Sequence, residues 1–319
     1  MAITVTKKEP IVDKNSFSYR FRTDMKKNYS LYLLFIPVLA FYILFCYRPM
    51  YGLIMAFQDF DIRLGVSGSE WVGMENFKRF FADPYFKRNI VNTVKISVAD
   101  IIVGFPLPII FALLVNELSG KWFAKTVQTI TYLPHFISLV VICGMIRTFV
   151  GTDGIVTALV NVFLPSPAEE SLLNHAKAFL PIFVGSNVWQ QFGWNSIIYL
   201  AALAGVDEQL YEAATIDGAG RWRQTLSVTI PSILPTIVIM FILKLGSVLN
   251  VGYEKIILLT NAFNAESSEV LSYYIYKKGL ISADYGLATA AGFFNSVINF
   301  AFVTAANAIS KKAGDISLW

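Results

Sequence analysis

The sequence predicts an all-α integral membrane protein with six transmembrane helices, and three observations carry that expectation. Of the 319 residues, 55% are hydrophobic and 15% charged, whereas a soluble domain carries roughly a quarter charged residues. Mean hydropathy is +0.55. Apolar runs of about 20 residues, the length a helix needs to cross ~30 Å of hydrocarbon, recur along the chain, separated by polar stretches. Backbone groups cannot be left unpaired in hydrocarbon, so helices are the expected spanning form.

Residues 1–29 read as a cytoplasmic N-terminal segment. Seven basic residues (Lys7, Lys8, Lys14, Arg20, Arg22, Lys26 and Lys27) precede the first apolar run, and such charge is retained on the inner side. The run continues into bulky residues with no small-x-small cleavage site, so it reads as an uncleaved first span, Ser30–Tyr51. The second span is Val91–Val115, where Pro106 and Pro108 should bend the helix. The third is Thr126–Val150. The fourth, Ala178–Val206, holds no charged residue; the fifth, Leu234–Val251, holds only Lys244; the sixth, Tyr285–Ser310, again holds none. These spans make one membrane domain over 30–310, followed by a tail, 311–319. An even number of spans puts both termini on the cytoplasmic side. Thirteen Lys/Arg then fall in inner stretches and nine in the longer outer loops 52–90, 151–177 and 252–284, a bias concentrated at the N-terminus.

Aromatic residues reach 15%, which suits lipid and its interfaces, and Trp71, Tyr85 and Tyr276 in the outer loops read as interfacial anchors. The net charge of +4 does not indicate nucleic acid, because no basic block interleaves with aromatics. Cys46 and Cys143 lie within spans and read as apolar fillers. With only His135 and His175, and no His-Glu-x-x-His, Gly-x-Ser-x-Gly or Cys-x-x-Cys, neither a metal site nor a catalytic constellation is expected. His135, beside Pro134, reads as a packing residue. No cofactor is implied. Ser119-Gly120-Lys121 runs into Trp122 and lacks the preceding glycine of a phosphate-binding loop, so ATP is not bound by this motif.

The connection between the fourth and fifth spans, 207–231, is too polar to cross a membrane. Leu210–Ile216 is a good helix former with Glu212 and Asp217 exposed, and Gly218-Ala219-Gly220 supplies a turn with φ > 0. A second short helix, Arg221–Val228, should end at Pro231. Such a protrusion suits a partner's groove, although a solvated helical loop would read the same way.

This segment resembles the EAA loop of ABC importer permeases: Glu212-Ala213-Ala214, Gly218 four residues on, then Val228 and Ile230-Pro231 as conservative departures from Ile and Leu. Further stretches resemble the subgroup for oligosaccharides and polysaccharide fragments: Phe105-Pro-Leu-Pro-Ile109, Tyr132-Leu-Pro-His-Phe-Ile-Ser138, Tyr199-Leu-Ala-Ala202, Asn250-Val-Gly-Tyr-Glu254 and Asp315-Ile-Ser-Leu-Trp319. The resemblance implies a non-enzymatic permease in a bacterial cytoplasmic (inner) membrane. Its implied partners are a second, similar permease, two copies of a cytoplasmic ABC ATPase, an extracytoplasmic solute-binding protein and membrane lipid. Glu212, Ala213, Ala214, Asp217 and Gly218 would form the ATPase-coupling surface.

Polar residues inside spans mark either a path for cargo or hydrogen bonds between helices, and the sequence leaves both open. In the fourth span these are Asn187, Trp189, Gln190, Gln191, Trp194 and Asn195, a mixture of amides and flat rings suited to a sugar. Lys244 in the fifth span and Asn295 and Asn299 in the sixth complete the candidates. An ion-coupled secondary transporter, the rival, would be expected to use intramembrane carboxylates, of which only Asp100 lies clearly within a span.

Overall fold

The computed structural model describes residues 17–163, 170–314 and 316–319. Lys7, Lys8, Lys14 and Asp315, to which the sequence assigns topology or family resemblance, lie outside them. The chain divides into two units, Met1–Ile54 and Met55–Trp319.

In the first unit, helix α1 (Phe17–Lys27) turns at Asn28 into the long helix α2 (Tyr29–Phe57). Asp24 closes the junction, accepting from Asn28 Nδ2 at 2.7 Å and Tyr32 Oη at 2.6 Å. Pro37 lies inside α2, and a wide π turn follows at Tyr42–Tyr47. No side chain of Tyr29–Phe41 is buried.

The second unit opens with a two-residue antiparallel ribbon, Gln58–Asp59 against Glu70–Trp71, a small departure from the expected all-α fold. Helix α3 (Glu75–Ala82) leads to α4 (Phe86–Asn116). Pro106 lacks an N–H and crowds the preceding turn, and α4 meets this with a π turn at Asp100–Gly104 while remaining one helix.

The third span departs from expectation. It is two helices, α5 (Lys121–Phe136) and α6 (Leu139–Phe149), bent by 99°. Leu133–Phe136 tightens into a 3₁₀ turn containing Pro134, and extended Ile137 and Ser138 then redirect the chain. A short helix α7 (Ile155–Asn161) follows.

Helix α8 (Ala176–Ala204) has 29 residues and is about 43 Å long at 1.5 Å per residue. Its centre packs very closely on α5, because a Cβ on Gly193 would lie 2.2 Å from the Thr131 carbonyl oxygen. One face joins Tyr199 and Leu203 to Ala112 of α4 and Ile233 of the following long helix, another places Phe179 and Phe183 against Ile142 and Cys143 of α6.

After helix α9 (Glu208–Ile216) the chain enters α10 (Arg221–Leu245). The expected short helix ending before Pro231 does not form separately: a π turn at Thr225–Thr229 carries the helix straight into the fifth span, with Pro231 in the first turn of the α-helical part beyond. The fifth span stops at Leu245 rather than Val251, and residues 246–249 form turns. Helix α11 (Tyr253–Leu259), α12 (Leu271–Tyr276) and a π turn at Lys277–Ile281 precede α13 (Tyr285–Gly314).

A polar layer ties the segment around α3 and the start of α4 to the segment before α13. Arg79 pairs with Asp284 at 2.6 Å, and Asp83 accepts from Tyr274 Oη at 2.9 Å and faces Lys278 at 3.5 Å. Glu269 pairs with both Arg88 and Lys277, and Asn92 Nδ2 donates to the carbonyls of Glu266 and Glu269 at 2.8 and 3.0 Å.

Among the described residues, α2, α4, α10 and α13 are four helices long and apolar enough to cross a membrane, and the bent pair α5–α6 would be a fifth. Helix α8 is long enough as well, but its amide- and glycine-rich centre makes it less apolar.

Candidate functional site

Two regions gather the candidate residues. The first is the protrusion built by α9 and the start of α10. Asp207 caps α9, its carboxylate accepting from Gln209 N at 2.9 Å. At the other end Gly218 adopts φ +76°, and Gly218 N donates to Thr215 O at 3.0 Å while Ala219 N donates to Ala214 O at 2.9 Å. This is a Schellman stop, which satisfies carbonyls the helix would leave unpaired and needs a residue without a Cβ. Gln224 Nε2 then reaches back to Thr215 Oγ1 at 2.9 Å and Ala219 O at 3.0 Å, and Tyr211 Oη meets Thr229 Oγ1 at 3.0 Å. The two helices are therefore braced across the turn.

Glu212, Ala213, Asp217 and Gly218 are exposed and Ala214 is half-buried. Beside them Ile216 and Trp222 are 87% and 76% exposed, a large apolar surface on an otherwise polar element, which a partner could cover. Sequence reading missed these two; their signal was bulky apolar character flanking the glycine turn.

The second region is an open cavity of about 370 Å³ lined by α4, α8, α10, Leu139 of α6 and residues 247–255. Asn187, Gln190, Gln191 and Lys244 line it together. The first three recur at helical spacing and share a face of α8. Trp189, two residues off that face, turns instead into an apolar groove of about 630 Å³ beside Phe149 and Val156. Further along α8, Trp194 stacks on His135 with ring centroids 4.3 Å apart, and His135 Nδ1 meets Gln191 Oε1 at 3.0 Å. Asn195 is exposed. Asn295 and Asn299 hold Asn250, donating to its Oδ1 at 2.7 and 3.2 Å. Asn250, not they, lines the cavity.

Asp100 and Lys244 form an ion pair within the chain, and Asn187 Nδ2 donates to Asp100 at 2.7 Å. The π turn at the start of which Asp100 stands and the fourth and fifth spans are thus pinned at one point. Lys255, which the sequence reading counted only as outer-loop charge, is 4% exposed and lines the same cavity. Its Nζ has no hydrogen-bond partner among the described residues and lies 5.2 Å from the Phe183 ring centroid. Burial pulls its proton affinity down to about 8, opposed by the nearby Cys143 and Asp100. A lysine directly before the apolar run Ile256–Leu259 was the available clue.

Comparison with known proteins follows the same lines. Residues 104–314 match the family described as binding-protein-dependent transport system inner membrane component. The polygalacturonan/rhamnogalacturonan transport system permease protein YteP of Bacillus subtilis (strain 168) is 40% identical, over 91% of this chain and 90% of that protein. A chain from the crystal structure of a bacterial ABC transporter that imports the acidic polysaccharide alginate superposes with a TM-score of 0.83 at 38% identity, covering 92% of this chain and 99% of that one. In the alginate transporter complexed with its alginate pentasaccharide-bound periplasmic protein, the matching chain gives a TM-score of 0.84 at 38% identity, covering 94% of this chain and all of that one.

Proposed function

The chain belongs to the family of binding-protein-dependent transport system inner membrane components, and from that premise we propose that it is a permease subunit of an ATP-driven importer for oligosaccharides or polysaccharide fragments, coupled to its ATPase through residues 207–231. The observation that carries the coupling is the braced, exposed helix–turn–helix with Glu212, Asp217 and Gly218 at its surface and Ile216 and Trp222 beside them. A rigid protrusion can pass a displacement in a partner straight into α10, because no break separates Arg221 from Leu245.

In this reading two such permeases stand together, and two cytoplasmic ATPase copies hydrolyse ATP outside this chain. An extracytoplasmic binding protein delivers cargo. The six spans are α2, α4, the bent pair α5–α6, α8, α10 and α13, in a bacterial inner membrane with residues 1–29 and 311–319 in the cytoplasm; the basic N-terminus supports that orientation. Closure of the ATPases pulls the two protrusions together and rocks the spans between inward and outward openings.

The cargo class rests on the relatives, which carry polygalacturonan, rhamnogalacturonan and alginate, and on the amide-lined cavity. Asn187, Gln190, Gln191 and Lys244 are its path residues, with Asn295 and Asn299 supporting Asn250. Asp100, the carboxylate an ion-coupled carrier would protonate, is held by Lys244 and Asn187, which weighs against that rival. Glu212→Lys tests the coupling: the variant should insert normally, lose the ATPase on gentle purification and lose uptake. Retained ATPase and wild-type uptake would overturn it.

A further inference from the structure

One cation of the cavity finds no hydrogen-bond acceptor among the described residues. Asp100 and Lys244 neutralise each other, whereas Lys255, 4% exposed, directs three N–H donors at no acceptor among the described residues. Burying an ammonium this way carries a desolvation penalty, which the Phe183 ring at 5.2 Å offsets only in part. An acceptor entering the cavity would complete its hydrogen bonds.

We propose that Lys255 is an anion subsite in this cavity and takes the carboxylate of an acidic sugar, a uronate unit of the cargo. The assignment rests on the importer reading above and adds the residue that reads cargo charge. Two further donors flank it: Gln191 uses its Oε1 for His135, leaving Nε2 for the cavity, and Asn250 uses its Oδ1 for Asn295 and Asn299, leaving Nδ2. Amide N–H groups suit sugar hydroxyls, and a buried ammonium suits the carboxylate. Glu254 also lines the cavity, but unlike Lys255 it is exposed. With Asp100, Lys244 and Lys255 it brings the formal charge of the lining to zero, so the buried Lys255 site is selective for a negative group without making the whole cavity an anion trap. The volume of about 370 Å³ lies within the range of small-molecule sites, roughly 300–1,000 Å³. It leaves room for a sugar unit rather than a long chain.

The test uses the assembled transporter, with both permeases, ATPase and binding protein, in proteoliposomes. It compares uptake of a galacturonate trimer with that of a neutral galactose trimer, and titration of each trimer and of acetate into the detergent-solubilised complex without its binding protein. Lys255→Gln should cut galacturonate uptake and binding at least tenfold and leave galactose values unchanged. Lys255→Arg should retain most galacturonate binding. The ligand-free Lys255→Gln complex should be as thermostable as wild type or more so, because an unsatisfied buried charge is removed; a packing role would lower its stability instead.

Wild-type galacturonate uptake should fall as pH rises through about 8, where Lys255 loses its proton, and Lys255→Arg should remove that fall. Asp100, Lys244, Glu254, Cys143 and Arg147 are the other ionisable groups around the site, and they are common to both proteins. Unchanged galacturonate uptake in Lys255→Gln, or equal loss of both sugars, overturns the Lys255 assignment alone. Full competition by acetate at equal concentration overturns the sugar in favour of a free anion. A wild type that takes up neither trimer overturns the cargo reading, and this assignment with it.

Discussion

Substituting Gly193 by alanine should push α5 and α8 apart, and the geometry sets the scale. The added Cβ would lie 2.2 Å from the Thr131 carbonyl oxygen and 3.0 Å from the Thr131 Cβ, where ordinary contact begins at 3.4 Å. The neighbour is backbone and cannot swing aside, so the helices must separate by about 1 Å. Overpacking of this kind costs about 1–3 kcal/mol, against a gain of up to ~1 kcal/mol from replacing glycine inside a helix. With the full gain subtracted, a net loss of up to about 2 kcal/mol follows. Gly185, two turns earlier in the same helix, has nothing within 4 Å of its Cβ position, so Gly185→Ala collects the gain of up to ~1 kcal/mol without the clash. Thermal unfolding of the two purified variants in the assembled transporter should therefore move in opposite directions. The separation should also stretch the His135–Gln191 contact beyond its 3.0 Å and lower uptake, since Gln191 lines the cavity. Equal stability of the two variants would refute the reasoning, because it would mean the close approach at Thr131 does not constrain the helix pair.

Gly218→Val should uncouple ATP hydrolysis from uptake, because a β-branched residue is poorly tolerated at φ +76° and the Schellman stop would open; unaltered coupled ATPase activity in the variant would argue against the turn's role. Asp100→Asn should destabilise the protein by about 1–3 kcal/mol by stranding Lys244, less than for a fully buried pair because the Lys244 side chain is 39% exposed. Adding Lys244→Met should recover part of the loss, and strict additivity in that double-mutant cycle, followed by thermal unfolding, would mean the pair is not coupled.

Much of the helical framework follows from residue pattern alone, because a bilayer punishes unpaired backbone and charge so strongly that long apolar runs have few other choices. The start of α13 at Tyr285 is an example; the left-handed glycine at 218 follows instead from turn chemistry in a polar connection. The right angle after Phe136 was not visible: Leu133, Phe136 and Leu139 are as apolar as a continuous span, and a proline in such a run normally marks only a kink. The division of α8 is not in the sequence reading, which groups Trp189 with Asn187, Gln190 and Gln191; the structure separates them, since the three amides share a face that Trp189 does not. The pairing of Asp100 with Lys244 spans 144 positions of sequence, and no local signal announces it. Lys255 was concealed for a related reason. Polarity assigns a lysine to water unless something else is known, and its burial depends on Ile142, Cys143 and Phe183, which come from distant segments.

The polar layer around Glu269 bears on how the chain is made. Arg88 and Glu269 are 181 positions apart, Asp83 and Tyr274 191, and Arg79 and Asp284 205. A ribosome delivers Arg79, Asp83 and Arg88 long before their partners exist, so these groups remain hydrated throughout insertion of the intervening helices. The layer can close only once the chain through Asp284 has emerged. A nascent chain truncated before Asp284 lacks the acceptor for Arg79 and leaves this surface unlocked, a difference by which membrane proteases could tell truncated from longer products.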